Sequence, residues 1–129
     1  MFFYFNYNPK QKHVRDCVYR AMAYFFGKSW RDAVQMLVDF NCDKGLVNFT
    51  HITNITDFMS SKGFTRYKVP QKGMTVGEFV NDYAKEGNIY VLYTIRPLHL
   101  TIVDENKDLT DTWDCSDREI KYYWFRTIV

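Results

Sequence analysis

The sequence predicts an α+β domain in which N-terminal helices pack on a C-terminal antiparallel sheet. Three observations predict it. Apolar residues recur at i, i+3, i+4, i+7 spacing through the first two thirds of the chain. The last third instead alternates β-branched and aromatic residues in short runs broken by polar turns. Helices followed by strands, rather than alternating with them, is the order of an α+β architecture. No internal repeat, linker or low-complexity stretch divides residues 1–129, so a single domain is expected.

The elements follow in order. Residues 2–7 are aromatic and read as a short strand ended by Asn8-Pro9. A polar loop carrying Lys10, Lys12 and Arg15 then leads to Asp16. A first helix starts at Cys17, presents Val18, Ala21, Met22 and Phe25 on one face, and stops at Gly27. Ser29 caps a second helix that turns Trp30, Ala33, Val34, Leu37 and Val38 inward and ends near Asn41. Asp43-Lys44-Gly45 is a turn, and a third helix covers residues 52–61 with Ile52, Ile55, Phe58 and Met59 on one side. Residues 64–69 alternate as an edge strand closed by Pro70. Thr75 caps a fourth helix through Val76, Phe79, Val80 and Tyr83, ending at Gly87. Residues 88–95 read as a central strand, broken by Arg96-Pro97-Leu98, and residues 99–103 as the next. Residues 104–108 form a polar hairpin turn, 109–113 return, and 119–128 complete an antiparallel meander.

Composition bounds the function. Hydrophobic residues at 47% and charged residues at 25% give a core-forming, globular chain rather than a disordered one. A net charge of +2, with basic residues scattered outside the 10–15 loop, argues against a nucleic-acid partner. Cys17, Cys42 and Cys115 are an odd set with no Cys-x-x-Cys spacing, which argues against a disulfide framework and a zinc knuckle. The apolar start lacks a basic n-region and a cleavage site, and no run approaches a membrane span. A protein of a reducing cytoplasm, or one released without a signal, and without membrane attachment, is expected. Frequent Asn, Lys, Tyr and Phe with little Ala fit an AT-rich bacterial or phage genome.

Cys17 sits where loop becomes helix. Asp16 is a suitable N-cap, and the helix dipole and free N–H groups there stabilise a thiolate. Taken alone, Cys17 reads equally as a small buried hydrophobe. A nucleophilic cysteine needs a base from another element and a group to orient that base. Of the histidines, His13 lies in the loop, His51 precedes the third helix as a surface or capping residue, and His99 opens a strand after a proline break. The returning strand carries Asp111-Thr112-Trp113-Asp114, so His99 and Asp111 become cross-strand neighbours if the turn centres at Glu105-Asn106. His99 alone also reads as a half-buried strand histidine, and Asp111 as a surface acid. Asp114 is an alternative orienting acid or a cap for the Cys115-Ser116-Asp117 turn. Trp113 suits a core position, a lid over the His–Asp pair or a substrate contact. Cys42 and Cys115 have no base placed beside them.

A helix-initial Cys, then a strand-initial His, then a polar residue on the next strand resembles the chain order of papain-like cysteine peptidases. Gln11 lies six residues before Cys17, the family's usual spacing for the glutamine of the oxyanion hole. Asp16-Cys17 with Ala21 looks like the start of bacteriocin-processing peptidases of this fold, and Asp111-Thr112-Trp113 is similar to the Asn-Ser-Trp of papain-type enzymes. The sequence departs from papain in continuing with Val18-Tyr19-Arg20 instead of glycines, and has no room for the insertions of larger members. The resemblance implies a cysteine hydrolase of peptide, isopeptide or amide bonds. Cys17 would attack, His99 would move the proton, Asp111 would hold the ring, and Gln11 with the Cys17 N–H would bind the oxyanion. It implies no cofactor or metal and a protein or peptide substrate. Two other readings stay open: a catalytically silent papain-like module that binds a partner protein, to which Tyr122-Tyr123-Trp124-Phe125 would suit an interface, and a cell-wall amidase of related fold.

Overall fold

A computed structural model describes residues 1–128. Its elements are β1 (Phe2–Tyr4), α1 (Cys17–Phe26), α2 (Trp30–Asp43), α3 (Ile52–Ser61), β2 (Tyr67–Lys68), α4 (Val76–Glu78), β3 (Asn88–Thr94), β4 (His99–Val103), β5 (Leu109–Asp111) and β6 (Ile120–Thr127). The mixed α+β class is as expected. Among the described residues no helix is long and apolar enough to cross a membrane.

The strands form one sheet in the order β1-β5-β4-β3-β6-β2. Only β3, β4 and β5 are a meander. β6 returns to the far side of β3 instead of extending past β5, and β1 pairs with β5 in parallel, so the sheet is not wholly antiparallel. The reason lies in β6, which needs cover on both faces. Tyr123 and Trp124 are adjacent in sequence, point to opposite faces and are both buried. An interior place beside β3 provides that cover. Ile89, Val91, Leu100, Ile102 and Trp124 pack under α1, α2 and α3. Tyr90, Leu92, Val103, Leu109 and Tyr123 pack on the other face against Val76, Phe79 and Val80.

The helix signals act largely as expected. Gly27 takes a left-handed conformation at φ 63° and closes α1. Ser29 Oγ accepts from the Asp32 N–H at 3.1 Å to start α2. α2 runs beyond Asn41, which is buried and donates its amide back to the Leu37 carbonyl at 2.7 Å. His51 caps α3 through Nδ1, which accepts from the Thr53 N–H at 3.2 Å.

Other elements are shorter than the sequence suggests. The expected fourth helix is α-helical only over α4; residues 79–83 widen into a π-helical turn, with the Ala84 N–H donating to the Phe79 carbonyl. Phe79 stays buried, and the Tyr83 hydroxyl meets that of Tyr123 at 2.9 Å. The first strand ends at Tyr4 because Asn6 and Asn8 turn the chain with their own side chains, accepting from the Asn8 and Lys10 N–H groups at 3.0 Å each.

Phe25 ties α1 to this framework. It is fully buried and meets Phe26 and Phe64 edge-on. Phe25→Ala is expected to destabilise the fold by about 3–5 kcal/mol, read as a lower urea midpoint at unchanged slope.

Candidate active site

The site lies at one end of the sheet, where three elements meet. β3 turns into β4 through residues 95–98, and Thr94 Oγ1 donates to the Pro97 and His99 carbonyls at 3.1 and 3.3 Å. This fixes the backbone from which the His99 side chain projects. β4 and β5 pair antiparallel, with Ile102 opposite Thr110 and Val103 opposite Leu109. Extending that register puts Asp111 opposite Thr101, so Asp111 and His99 are diagonal neighbours on one face rather than directly opposed. Direct opposition would centre the turn on Glu105; the observed register centres it on Asn106. The two side chains still meet: His99 Nε2 lies 2.6 Å from Asp111 Oδ2, and both residues are buried.

Cys17 is half-buried at the first position of α1 and in reach of the His99 ring. Since Nε2 is directed at Asp111, Nδ1 is the nitrogen left for the thiol. Burial alone would raise the Cys17 pKa, but the proximity and charge of His99 outweigh it and lower the thiol below its ordinary value. Burial likewise opposes protonation of His99, yet its bond to Asp111 and the nearby Cys115 and Cys17 push it up to about 11. Asp111 is held below the ordinary carboxylate value, because the His99 bond and charge exceed the cost of its burial. The arrangement favours a thiolate beside an imidazolium.

Arg20 completes the group, and the sequence does not single it out. It stands one turn along α1 from Asp16, and its Nε donates to Asp16 Oδ1 at 2.8 Å. Its Nη1 donates to Asp111 Oδ1 at 3.0 Å and to Thr112 Oγ1 at 3.2 Å. Acid and base four apart on a helix is a legible signal, but its extension to Asp111 depends on tertiary structure. Cys115 is a second addition: it is fully buried, with Sγ 4.0 Å from Asp111 Oδ2. His99, Asp111 and Cys115 form a compact set of metal-ligating types, their donor atoms within 4.8 Å of one another. The 2.6 Å contact between nitrogen and carboxylate is shorter than two ligands of one zinc ion adopt, and Arg20 already occupies the other carboxylate oxygen.

Other expected roles are differently filled. Asp16 occupies the N-cap position, but its carboxylate makes no capping bond. It is drawn instead to Arg20, to Trp30 Nε1 at 2.9 Å and to Asn8 Nδ2 at 3.2 Å. The N–H groups of the first turn are thus left without a side-chain cap. Gln11 is not brought to the thiol: its amide donates to the Asn6 and Asn8 carbonyls, each at 3.1 Å, and it lines none of the three cavities that Cys17 lines. A glutamine in a loop rich in free carbonyls satisfies the nearest ones. Asp114 is exposed and accepts from the Ser116 N–H at 3.1 Å, the turn-capping alternative. Trp113 lies against the His99 ring at 5.1 Å between centroids. His13 reaches the Tyr4 hydroxyl, and Cys42 is exposed. Comparison with protein families, curated proteins and solved structures finds no match for this chain.

Arg20 separates two buried carboxylates, so its loss leaves both short of a partner. Arg20→Ala is expected to cost roughly 3–5 kcal/mol in urea unfolding, with Arg20→Lys recovering only part because one ammonium cannot span both acids.

The protonation pattern predicts a compensation. His99 is raised, so its contribution to stability is complete below its unfolded value of 6.5 and is lost as pH rises toward about 11. Cys17 is lowered, so its contribution is complete above its unfolded value of 9.0 and is lost as pH falls through its folded value. Between those limits the native pair and the unfolded pair bind the same number of protons, and the two slopes oppose. Cys17→Ser removes one of them. Urea midpoints from neutral pH to pH 9 are expected to fall more steeply in Cys17→Ser than in the parent chain, and to flatten again when His99→Asn is added.

Proposed function

We propose that the protein is a cysteine-dependent hydrolase of peptide, isopeptide or amide bonds. One observation carries the reading: a buried His99–Asp111 contact of 2.6 Å beside the half-buried Cys17 at a helix start. The Cys17 thiolate attacks the substrate carbonyl carbon, forming a C–S bond and a tetrahedral oxyanion. The uncapped N–H groups at the start of α1, that of Cys17 first, supply the donors for this charge. Collapse breaks the C–N bond, and the His99 imidazolium protonates the leaving nitrogen. His99, now neutral, takes a proton from water as that water attacks the thioester. The acid departs, and the thiolate and imidazolium are restored. Asp111 keeps the ring oriented and stabilises its positive form throughout. The papain-like resemblance gives Cys17, His99 and Asp111 the same roles.

One observation favours the silent-module reading. The Gln11 amide is engaged by the loop, so the side-chain oxyanion donor of that resemblance is not free.

Alkylation separates the two. Iodoacetamide at mildly acidic pH is expected to modify Cys17 ahead of the more exposed Cys42, by intact-mass and peptide mapping. His99→Ala should slow Cys17 by on the order of a hundredfold, the lower range of acid–base assistance. Asp111→Asn should slow it by about tenfold, equivalent to one unit in the pKa of the pair. Similar slow modification of Cys17 and Cys42, unaffected by His99→Ala, would remove the enzyme reading and leave the silent module.

A further inference from the structure

Cys17, Leu98 and His99 stand between two cavities and line both. One, of about 440 Å³, opens toward the start of α3. The other, of about 610 Å³, opens toward the 12–16 loop. Both exceed the roughly 300 Å³ at which ligand clefts begin. Leu98 is 69% exposed and forms the ridge between them.

Their walls differ in charge. Apart from the shared Cys17 and His99, the α3-side cavity mixes apolar Ile52, Ile55 and Tyr93 with polar Asn48, Thr50 and His51, and among the described residues no Asp, Glu, Lys or Arg lines it. The loop-side cavity has Lys12, Arg15 and Arg20 against one acid, Asp16. Arg20 is spent on Asp16 and Asp111, and the Asp16 carboxylate is further satisfied by Trp30 and Asn8. Lys12 and Arg15 take part in no ion pair among the described residues. Two positive charges on that wall are therefore without an ion-pair partner. Space on both sides of the nucleophile accommodates a chain that continues past the reacting bond, so an anion inside it comes from a side chain.

Resting on the reading of Cys17 as nucleophile, we infer that the substrate is a peptide whose two flanks differ. An acidic side chain enters the loop-side cavity beside Lys12 and Arg15. An uncharged segment enters the α3-side cavity. Desolvating a charge in the neutral cavity would go uncompensated, which disfavours the reversed orientation.

Paired alkylating agents of different charge test this on the full chain. Iodoacetate and iodoacetamide deliver the same carbon, one with a carboxylate and one without. The ratio of their rates is expected to be higher at Cys17 than at Cys42. In a Lys12→Ala, Arg15→Ala double variant the Cys17 ratio should fall by about threefold, as expected for two solvent-screened charges. High salt should reduce the parent ratio toward that of the variant. The charge-reversed Lys12→Glu, Arg15→Glu form should lower it further. A Cys17 ratio indifferent to both variants, with Cys17 still the faster thiol, would overturn the anionic preference alone. Cys17 reacting no faster than Cys42 with either reagent would overturn the nucleophile and this inference together.

Discussion

The buried Asp111 carboxylate is the group on which the rest of the site depends. A lone carboxylate at this depth would be strongly disfavoured. Here Oδ2 takes His99 and Oδ1 takes Arg20 and the Thr112 N–H, the last at 2.6 Å. Through space, Asp16, Arg20, Asp111 and His99 alternate in sign. Each charge is buried against the next, so the set is stable as a whole and costly to break at any member. It also joins elements: Arg20 belongs to α1, His99 to β4 and Asp111 to β5. The helix that carries Cys17 is therefore registered on the sheet by ionic contacts at its start and by Phe25 and Met22 in the core.

Sheet geometry explains why the charges can occupy the end of a strand pair. Leu100 and Ile102 face the helical layer, and His99 shares the parity of Thr101 and Val103. Inside the sheet that face carries the buried Thr101 and Val103. At the end of β4, where His99 pairs with Thr94, the same parity leads to a buried position beside the first turn of α1 and the 112–115 turn. A histidine there is shielded enough for Asp111 to govern its protonation, while one edge remains in contact with both cavities.

Local chemistry makes much of the fold legible. Ser29, Gly27 and the 3.6-residue stripe bracket α1 and α2, and residues 52–61 and 99–103 are bounded by capping or breaking residues that act within a few positions. The diagonal approach of His99 and Asp111 is also accessible, because a five-residue polar turn confines the two arms to neighbouring registers. Features that depend on distant partners are not. The parallel β1–β5 pair joins opposite ends of the chain, and β6 chooses β3 for burial of both its faces. The π-helical turn at residues 79–83 follows from packing against Tyr90 and Tyr123. Arg20 presents an ordinary i, i+4 pair with Asp16 in sequence, and nothing local reveals its second hand on Asp111.

The departure at Asp16 ties these points to the proposed chemistry. A carboxylate at an N-cap ordinarily accepts from the first turn and contributes about 1 kcal/mol. Doing so would hold a negative charge against the first turn, next to the Cys17 thiol. Arg20, Trp30 and Asn8 instead hold both oxygens of Asp16 away from the helix start. The positive end of the α1 dipole then acts on Cys17 without a competing acceptor. Arg20 thus serves two ends at once: it neutralises Asp16, which leaves the helix start open, and it anchors the carboxylate that holds His99. A chain that needed α1 only for stability would gain from a capped start. An uncapped one, with its acid diverted by three donors, fits the thiol chemistry proposed for Cys17 at the first helical position.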